Sequence, residues 1–333
     1  EARRIREQFP DREVEICKCP TADLDAIEQV AQQLRQMYAE CEVVLNLTSG
    51  LKLWLIAFYR IFMPQPQVRF IYIDQTNTIT DLNTKQTHQG EIDKMVRFKL
   101  YGTPLTAFTR LDEYTDDDLT TLREIETFRR RDKRAFADLT AELGKGDPTK
   151  EVRISGPNSM LHYDPLTRWA EMEVQDYRTG RMVSREFQCA HLWQLLTNTG
   201  WFELKVAHAL RQVPEVGEVW INCKFADQHG EAKNEIDVIA DLRNRLLFVE
   251  CKTMIHDSTD IDKFRSAVRN FSGMSTLALF AVNDYPSQAR RSLYEHAMEK
   301  CRDNNIVTYN FSNRNQTPLQ QVIARLLDVQ NTR

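Results

Sequence analysis

The segment "NEIDVIADLRNRLLFVECKT", residues 234–253, reads as two extended apolar runs joined by a short turn, yet it carries Glu235, Asp237, Glu250 and Lys252. A run as apolar as "LLFV" belongs inside a sheet. Charges held away from water cost several kcal/mol unless they are paired or bound to a metal. If Arg243-Asn244 is a two-residue hairpin turn, Asp237 stands opposite Glu250 and Glu235 opposite Lys252. Side chains alternate with period two, so all four project from one face. A chain that keeps this cluster needs a rigid sheet beneath it and a cation between the carboxylates.

Hard oxygen donors, few in number and leaving room for water, suit Mg²⁺ or Mn²⁺. Asp237 and Glu250 are the expected ligands, with the backbone carbonyl of Cys251 as a third. Lys252 points into the same space, where an ammonium orients a water and neutralises charge building on a phosphate. Glu235 competes with Asp237 as the first ligand, and Asp237 is preferred because it opposes Glu250. The alternative is a surface hairpin with ordinary cross-strand ion pairs, which the apolar second strand argues against.

The 333 residues suggest two domains. A net charge of −4 excludes a generally basic nucleic-acid binder, so any such contact needs a local patch. The seven cysteines (17, 19, 41, 189, 223, 251 and 301) are scattered without a CxxC pair, as in a reduced cytoplasmic protein. Cys17 and Cys19 are expected to pack inside from one face of a strand. No signal peptide is expected, since the opening residues carry no apolar run of the needed length. The stretch "LKLWLIAFYRIFM" carries Lys52 and Arg60 and is too short to span a bilayer, so no membrane association is expected.

Along the chain, strands are expected at 14–19, 42–48 and 68–74, alternating with helices at 23–40 (Asp23 as N-cap) and 51–62. That alternation implies an α/β domain with a parallel sheet. Domains of this type open with a strand, so a chain opening on a helix is expected to lack its first one. Residues 76–110 read as a hairpin and loops. One long charged helix is expected over 116–143, its run Arg129, Arg130, Arg131, Lys133 and Arg134 forming a solvated face, and "GKGDP" (144–148) marks a linker. Beyond it, strands are expected at 169–176, 182–187, 216–225, 235–241, 246–252 and 276–282, with a last one at "IVTYNF". Helices are expected at 191–212, 260–270 and 286–303. Lys263, Arg265 and Arg269 on the second of these could grip a phosphate backbone.

Asp, then Glu-x-Lys on a second strand, resembles the PD-(D/E)xK nuclease superfamily. "TGWFELKVAHAL" (199–210) resembles the first core helix of that fold, which implies a supporting role for Glu203. The resemblance covers roughly residues 190–310 and implies a restriction-endonuclease-like α/β domain and a metal-dependent endonuclease acting on DNA or RNA.

"VVLNLTSGLKLWLIAF" (43–58) is a strand, a polar loop and a helix. Backbone N–H groups at a helix start attract anions, and Gly50 permits close approach. From physics alone, anion binding and a plain turn weigh equally. The loop resembles the N-x-T-G-G-T-K motif of CARF domains, Rossmann-like sensors of cyclic oligoadenylates. Asn46, Thr48, Gly50 and Lys52 match, while Ser49 and Leu51 depart from it. Together the halves resemble CARF–nuclease effectors of type III CRISPR systems. This implies a sensor over 1–112, a helical connector over 113–150 and a nuclease over 151–333. It also implies a homodimer in antiviral defence, activated by cyclic tetra-adenylate held by Asn46, Thr48, Ser49, Gly50 and Lys52. A repair or restriction-type nuclease with no cyclic activator, and a non-catalytic nucleotide sensor, are the competing expectations.

Overall fold

The computed structural model describes residues 2–331 except 75–76, 91–92, 227–229, 243–244, 256–258, 273–275, 285–290 and 314. The expected Arg243-Asn244 turn lies outside the described residues. The chain divides into two compact units, with the boundary between Pro104 and Leu105.

The first unit runs α1 (Ala2–Gln8), α2 (Leu24–Met37), β1 (Val43–Asn46), α3 (Lys52–Phe62), β2 (Val68–Ile73), β3 (Thr78–Asp81), β4 (Thr87–Gln89) and α4 (Lys94–Tyr101). Asp23 caps α2 by accepting the Ala26 N–H at 3.1 Å. β1 and β2 are parallel, joined through α3, while β3 and β4 continue the sheet antiparallel in the order β1-β2-β3-β4. Ala31, Phe62, Val68 and Phe70 centre a small core between sheet and helices. Residues 14–19, expected as a strand, form no regular element. A strand exists only through its ladder, and the described sheet ends at β1. Cys17 is consequently exposed and Cys19 half-buried, not packed inside. Within the loops expected over 76–110, Asp93 nucleates α4 by accepting the N–H groups of Met95 and Val96.

The second unit opens with β5 (Leu105–Arg110), then α5 (Asp116–Phe128), α6 (Lys133–Leu143), β6 (Val152–Gly156), β7 (Ser159–Asp164), β8 (Trp169–Gln175) and β9 (Met182–Gln188). It continues through α7 (Leu192–Leu196), α8 (Gly200–Arg211), β10 (Val219–Ala226), β11 (Ala232–Leu242), β12 (Arg245–Lys252), α9 (Thr259–Ser272), β13 (Thr276–Val282), α10 (Arg291–Asp303), β14 (Val307–Asn310) and α11 (Leu319–Asn331). β6 to β9 form an antiparallel meander. A second sheet has the order β14-β13-β12-β11-β10-β5, parallel from β12 to β14 and antiparallel elsewhere. β5 therefore completes this sheet as an edge strand, and α5 and α6 pack in this unit's core through Leu122, Ile125, Phe136 and Leu139.

The helix expected over 116–143 is two helices. Asp132 accepts the N–H groups of Arg134 and Ala135, so the chain stops at Phe128 and restarts at Lys133. The break turns Arg129 inward, so it is a buried ion-pair partner and not part of a solvated face. The helix expected over 191–212 is also two, because Thr199 adopts a left-handed φ of 64°. Gly200 follows for a steric reason: a Cβ there would fall 1.9 Å from the backbone oxygen of Gln194. Only glycine lets α7 and α8 approach this closely, and that contact fixes where α8 enters the core.

Candidate active site

The site starts from the way β11 and β12 pair and then part. Leu242 pairs with Arg245 and Val238 with Val249, the register expected for a two-residue connection. The described pairing stops at Val238 and Val249, whereas β12 keeps pairing with β13 as far as Lys252 and Val282. Beyond Val238, β11 stays with β10 and leaves β12. Asp237 fills the opening: its Oδ2 accepts the Cys251 N–H at 2.6 Å, where a backbone carbonyl would otherwise sit. The expected pairing of Asp237 with Glu250 is not part of the described ladder, which ends one pair earlier at the fork.

The fork explains the alternation along β12. Leu247, Val249 and Cys251 pack in the same core as Leu204, Val206 and Leu210 of α8. Glu250 and Lys252 point to the other face, toward α9. There they line a cleft of about 290 Å³ with Glu235, Asp260, Lys263 and Phe264. Lys252 Nζ lies 2.6 Å from Glu250 Oε1, with 32% and 15% of the two side chains exposed.

The electrostatics are those of crowded carboxylates. Burial first, and then Glu250, push the Asp237 carboxyl up to about 7. Glu250 is also raised by burial, with Lys252 opposing the shift. Burial alone would lower Lys252, but Glu250 and Asp237 outweigh it and keep the ammonium charged. Glu203 sits in the first turn of α8 and is 4% exposed. Burial, then Asp237 and Glu235, push its carboxyl well above the usual range, and its Oε2 has no hydrogen-bond partner. A buried oxygen without a donor and an acid raised toward neutrality mark a place where positive charge would be stabilising. In a strand the N–H and C=O of one residue point the same way, so the Cys251 carbonyl is on the fork side with its N–H. Two carboxylates and this carbonyl fit a hard divalent ion. Among the described residues no three His, Cys, Asp or Glu side chains form a ready-made cage, so water would complete any coordination here.

Asp237, Glu250, Lys252 and Glu235 are therefore brought together, with Glu203 close enough to feel their charge. On α9, Lys263 reaches the cleft, whereas Arg265 Nη1 donates to Asn304 Oδ1 at 2.7 Å and is committed elsewhere. Asp260 joins the cleft from α9, where its spacing to Lys263, Phe264 and Ala267 places all four on one helical face.

In the first unit, the loop after β1 is built by two of its own predicted ligands. Asn46 Oδ1 accepts the Thr48 N–H at 2.9 Å, and Thr48 Oγ1 accepts the Ile73 N–H at 2.6 Å. Those side chains shape the loop. Gly50 has φ of 114°, open to glycine almost alone. Ser49 and Lys52 are exposed and make no side-chain hydrogen bond among the described residues.

Residues 192–287 match the family model of the Card1-like endonuclease domain. That span covers α8, the fork and β13. Comparison with curated proteins returned no match. Among solved structures, Can2 from Sulfobacillus thermosulfidooxidans, in complex with cyclic tetra-adenylate, shares the fold with a TM-score of 0.61 at 18% identity. Protein VC1899 from Vibrio cholerae does so with a TM-score of 0.67 at 15% identity. In both cases 98% of this chain and 87% of the other are covered. The endonuclease match and the shared fold together support the resemblance to CARF–nuclease effectors of type III CRISPR systems.

Proposed function

We propose that the chain is a metal-dependent nuclease whose second unit hydrolyses phosphodiester bonds and whose first unit, a CARF-like sensor, is switched by cyclic tetra-adenylate. The observation that carries the nuclease reading is the fork at Asp237, with Glu250 and Lys252 on the strand it leaves. Asp237, Glu250 and the Cys251 carbonyl would hold Mg²⁺ or Mn²⁺. The ion would supply positive charge at the phosphate and lower the pKa of a bound water.

The protein's own groups do the rest. Lys252, kept charged by its carboxylate neighbours, orients the attacking water and meets charge developing on the phosphate oxygens as the P–O bond to the leaving oxygen breaks. Glu203, its carboxyl raised by burial and by Asp237 and Glu235, would take part through Oε2, as a proton carrier or as an acceptor for a water. The sheet beneath fixes these groups, since β12 is paired on the β13 side from Leu246 to Lys252.

The sensor reading rests on the loop after β1 and on the Can2 complex. Ser49 and Lys52 are the groups free to meet the activator, with backbone N–H groups at the start of α3. Homodimerisation is proposed through α3, which leaves Leu53, Ile56 and Met63 exposed on one side. The activator, binding one arrangement of the dimer better, would shift the population toward a cutting-competent form.

The test is direct. Labelled RNA, single-stranded DNA and supercoiled plasmid are incubated with protein and Mn²⁺ or Mg²⁺, with and without cyclic tetra-adenylate. Cleavage is expected only with metal and activator, and lost in Glu250→Ala and Lys252→Ala. Cleavage that persists in both variants removes the proposed site. Cleavage indifferent to the cyclic nucleotide removes the sensor half and favours a repair-type nuclease.

A further inference from the structure

A second cleft, of about 740 Å³, opens at the carboxyl ends of β13 and β14. Asp284 and Ser312 line it from the strand side, Arg129, Arg130 and Lys133 from the break between α5 and α6, and Tyr177 and Arg178 from the β8–β9 turn. Its walls are fixed. Arg131 Nη1 binds the buried Asp176 at 2.9 Å, and the Tyr177 N–H donates to the Arg131 carbonyl, so the turn is tied to the helix break.

The charge is unbalanced toward cations. Asp284 holds two of them, Arg129 at 2.6 Å and Lys133 at 2.7 Å. Glu126 also holds two, Arg130 at 2.8 Å and Lys205 at 2.9 Å. Asp132 is occupied in capping α6. Arg178 has no carboxylate within ion-pair reach among the described residues, and its guanidinium lies 5.3 Å from the centre of the Tyr177 ring. Two of the three lining carboxylates are thus each shared between two positive groups, and Arg129, Arg130, Lys133 and Arg178 outnumber Glu126, Asp132 and Asp284 by one, which leaves the mouth net positive in a protein whose overall charge is −4. Tyr177 is 65% exposed on the rim, an aromatic face with a cation beside it.

The cleft also adjoins the fork through the backbone. The Asp284 N–H donates to the Thr253 carbonyl at 2.8 Å, and the Asn283 N–H to the Lys252 carbonyl at 3.3 Å. Lys205, two residues after Glu203 on α8, donates to Asn283 Oδ1 at 3.0 Å.

From this juxtaposition we infer that the cleft is a polynucleotide subsite, in which Arg130, Lys133 and Arg178 take backbone phosphates of the strand being cut and Tyr177 stacks a base. Cations combined with an exposed aromatic ring are how proteins hold a strand without reading its sequence. The inference rests on the nuclease reading for its substrate, but its test does not depend on cleavage.

Full-length protein is titrated with a fluorescent oligonucleotide in Ca²⁺, read by anisotropy at several salt concentrations. The wild type is compared with Arg130→Ala/Arg178→Ala, with Tyr177→Ala and with Glu250→Ala. These side chains of the cleft are exposed, so the variants are expected to fold. The double variant should bind on the order of tenfold more weakly. Its log–log salt slope should be shallower by about 0.7–0.9 per lost phosphate contact. Tyr177→Ala should weaken binding with the slope unchanged. Affinity for cyclic tetra-adenylate should be unaffected in all three. Wild-type affinity and slope in the double variant overturn the inference, as does loss of the cyclic ligand in place of the linear strand. If Glu250→Ala abolishes cleavage while the double variant binds normally, the subsite fails and the nuclease reading stands. A wild-type protein that binds no oligonucleotide overturns the subsite whatever its activity.

Discussion

Replacing Asp237 by Asn should make the metal-free protein more stable at pH 8 while abolishing its cleavage. Asp237 has its carboxyl raised from 3.8 to about 7, by burial and then by Glu250. The folded state therefore holds this proton more tightly than the unfolded chain. By linkage, stability falls as pH rises from about 4 to about 7 and is level above that, because the unfolded state releases the proton first. The full shift corresponds to about 4 kcal/mol. Asp237 is half-buried, so solvent screens part of it, leaving on the order of 2 kcal/mol. Asparagine keeps an oxygen for the Cys251 N–H, so the bond at 2.6 Å has a replacement and the charge alone is removed. Tryptophan fluorescence is the probe, since Trp169, Trp193, Trp201 and Trp220 all lie in the second unit. At about 2–4 °C per kcal/mol, the variant should melt several degrees above wild type in EDTA at pH 8 and level with it at pH 4. Mn²⁺ should raise the wild-type Tm and leave the variant unmoved. A variant less stable than wild type at pH 8 would mean that Asp237 is a net stabilising charge, the opposite of what its raised carboxyl implies.

Other consequences follow from single contacts. Gly200→Ala should destabilise the second unit by at least about 3 kcal/mol in urea, or prevent folding, since a Cβ has no room beside the Gln194 oxygen. Asp284→Ala should cost about 3–5 kcal/mol by leaving Arg129 buried and unpaired. Arg129→Met/Asp284→Leu should recover much of that loss in the same unfolding assay. Lys52→Ala should weaken cyclic tetra-adenylate binding by roughly tenfold in calorimetry with Tm unchanged, because its side chain makes no structural hydrogen bond. Ile56→Glu should shift the full-length protein toward monomer in light scattering, since Ile56 is 57% exposed on an apolar side of α3.

What could be read from the sequence was whatever a periodic pattern or a geometric necessity wrote locally. The β11–β12 register was legible because apolar runs on both sides of a short connection leave few alternatives. Asp23 and α2 were legible through a cap and an amphipathic repeat. The strand expected at 14–19 has the right composition, but composition cannot supply a neighbouring strand. The break at Arg129–Asp132 was hidden because charged residues suit an exposed helix equally well, and only the distant Asp284 reveals that Arg129 turns inward. β6 is half-exposed along its length, which leaves a weak alternation. At the site, the identity of the charged side chains was legible. The fork that separates them was not, because it depends on β11 following β10 and not β12.

Asp237, Glu250 and the Cys251 carbonyl are proposed to share one divalent cation. Crystals grown with Mn²⁺ and measured at the manganese absorption edge test it most directly. One anomalous peak is expected in the second unit, within about 2.3 Å of an oxygen from each of these three groups. A cleavage-competent protein whose manganese lies elsewhere, with Asp237 and Glu250 unliganded, would contradict it.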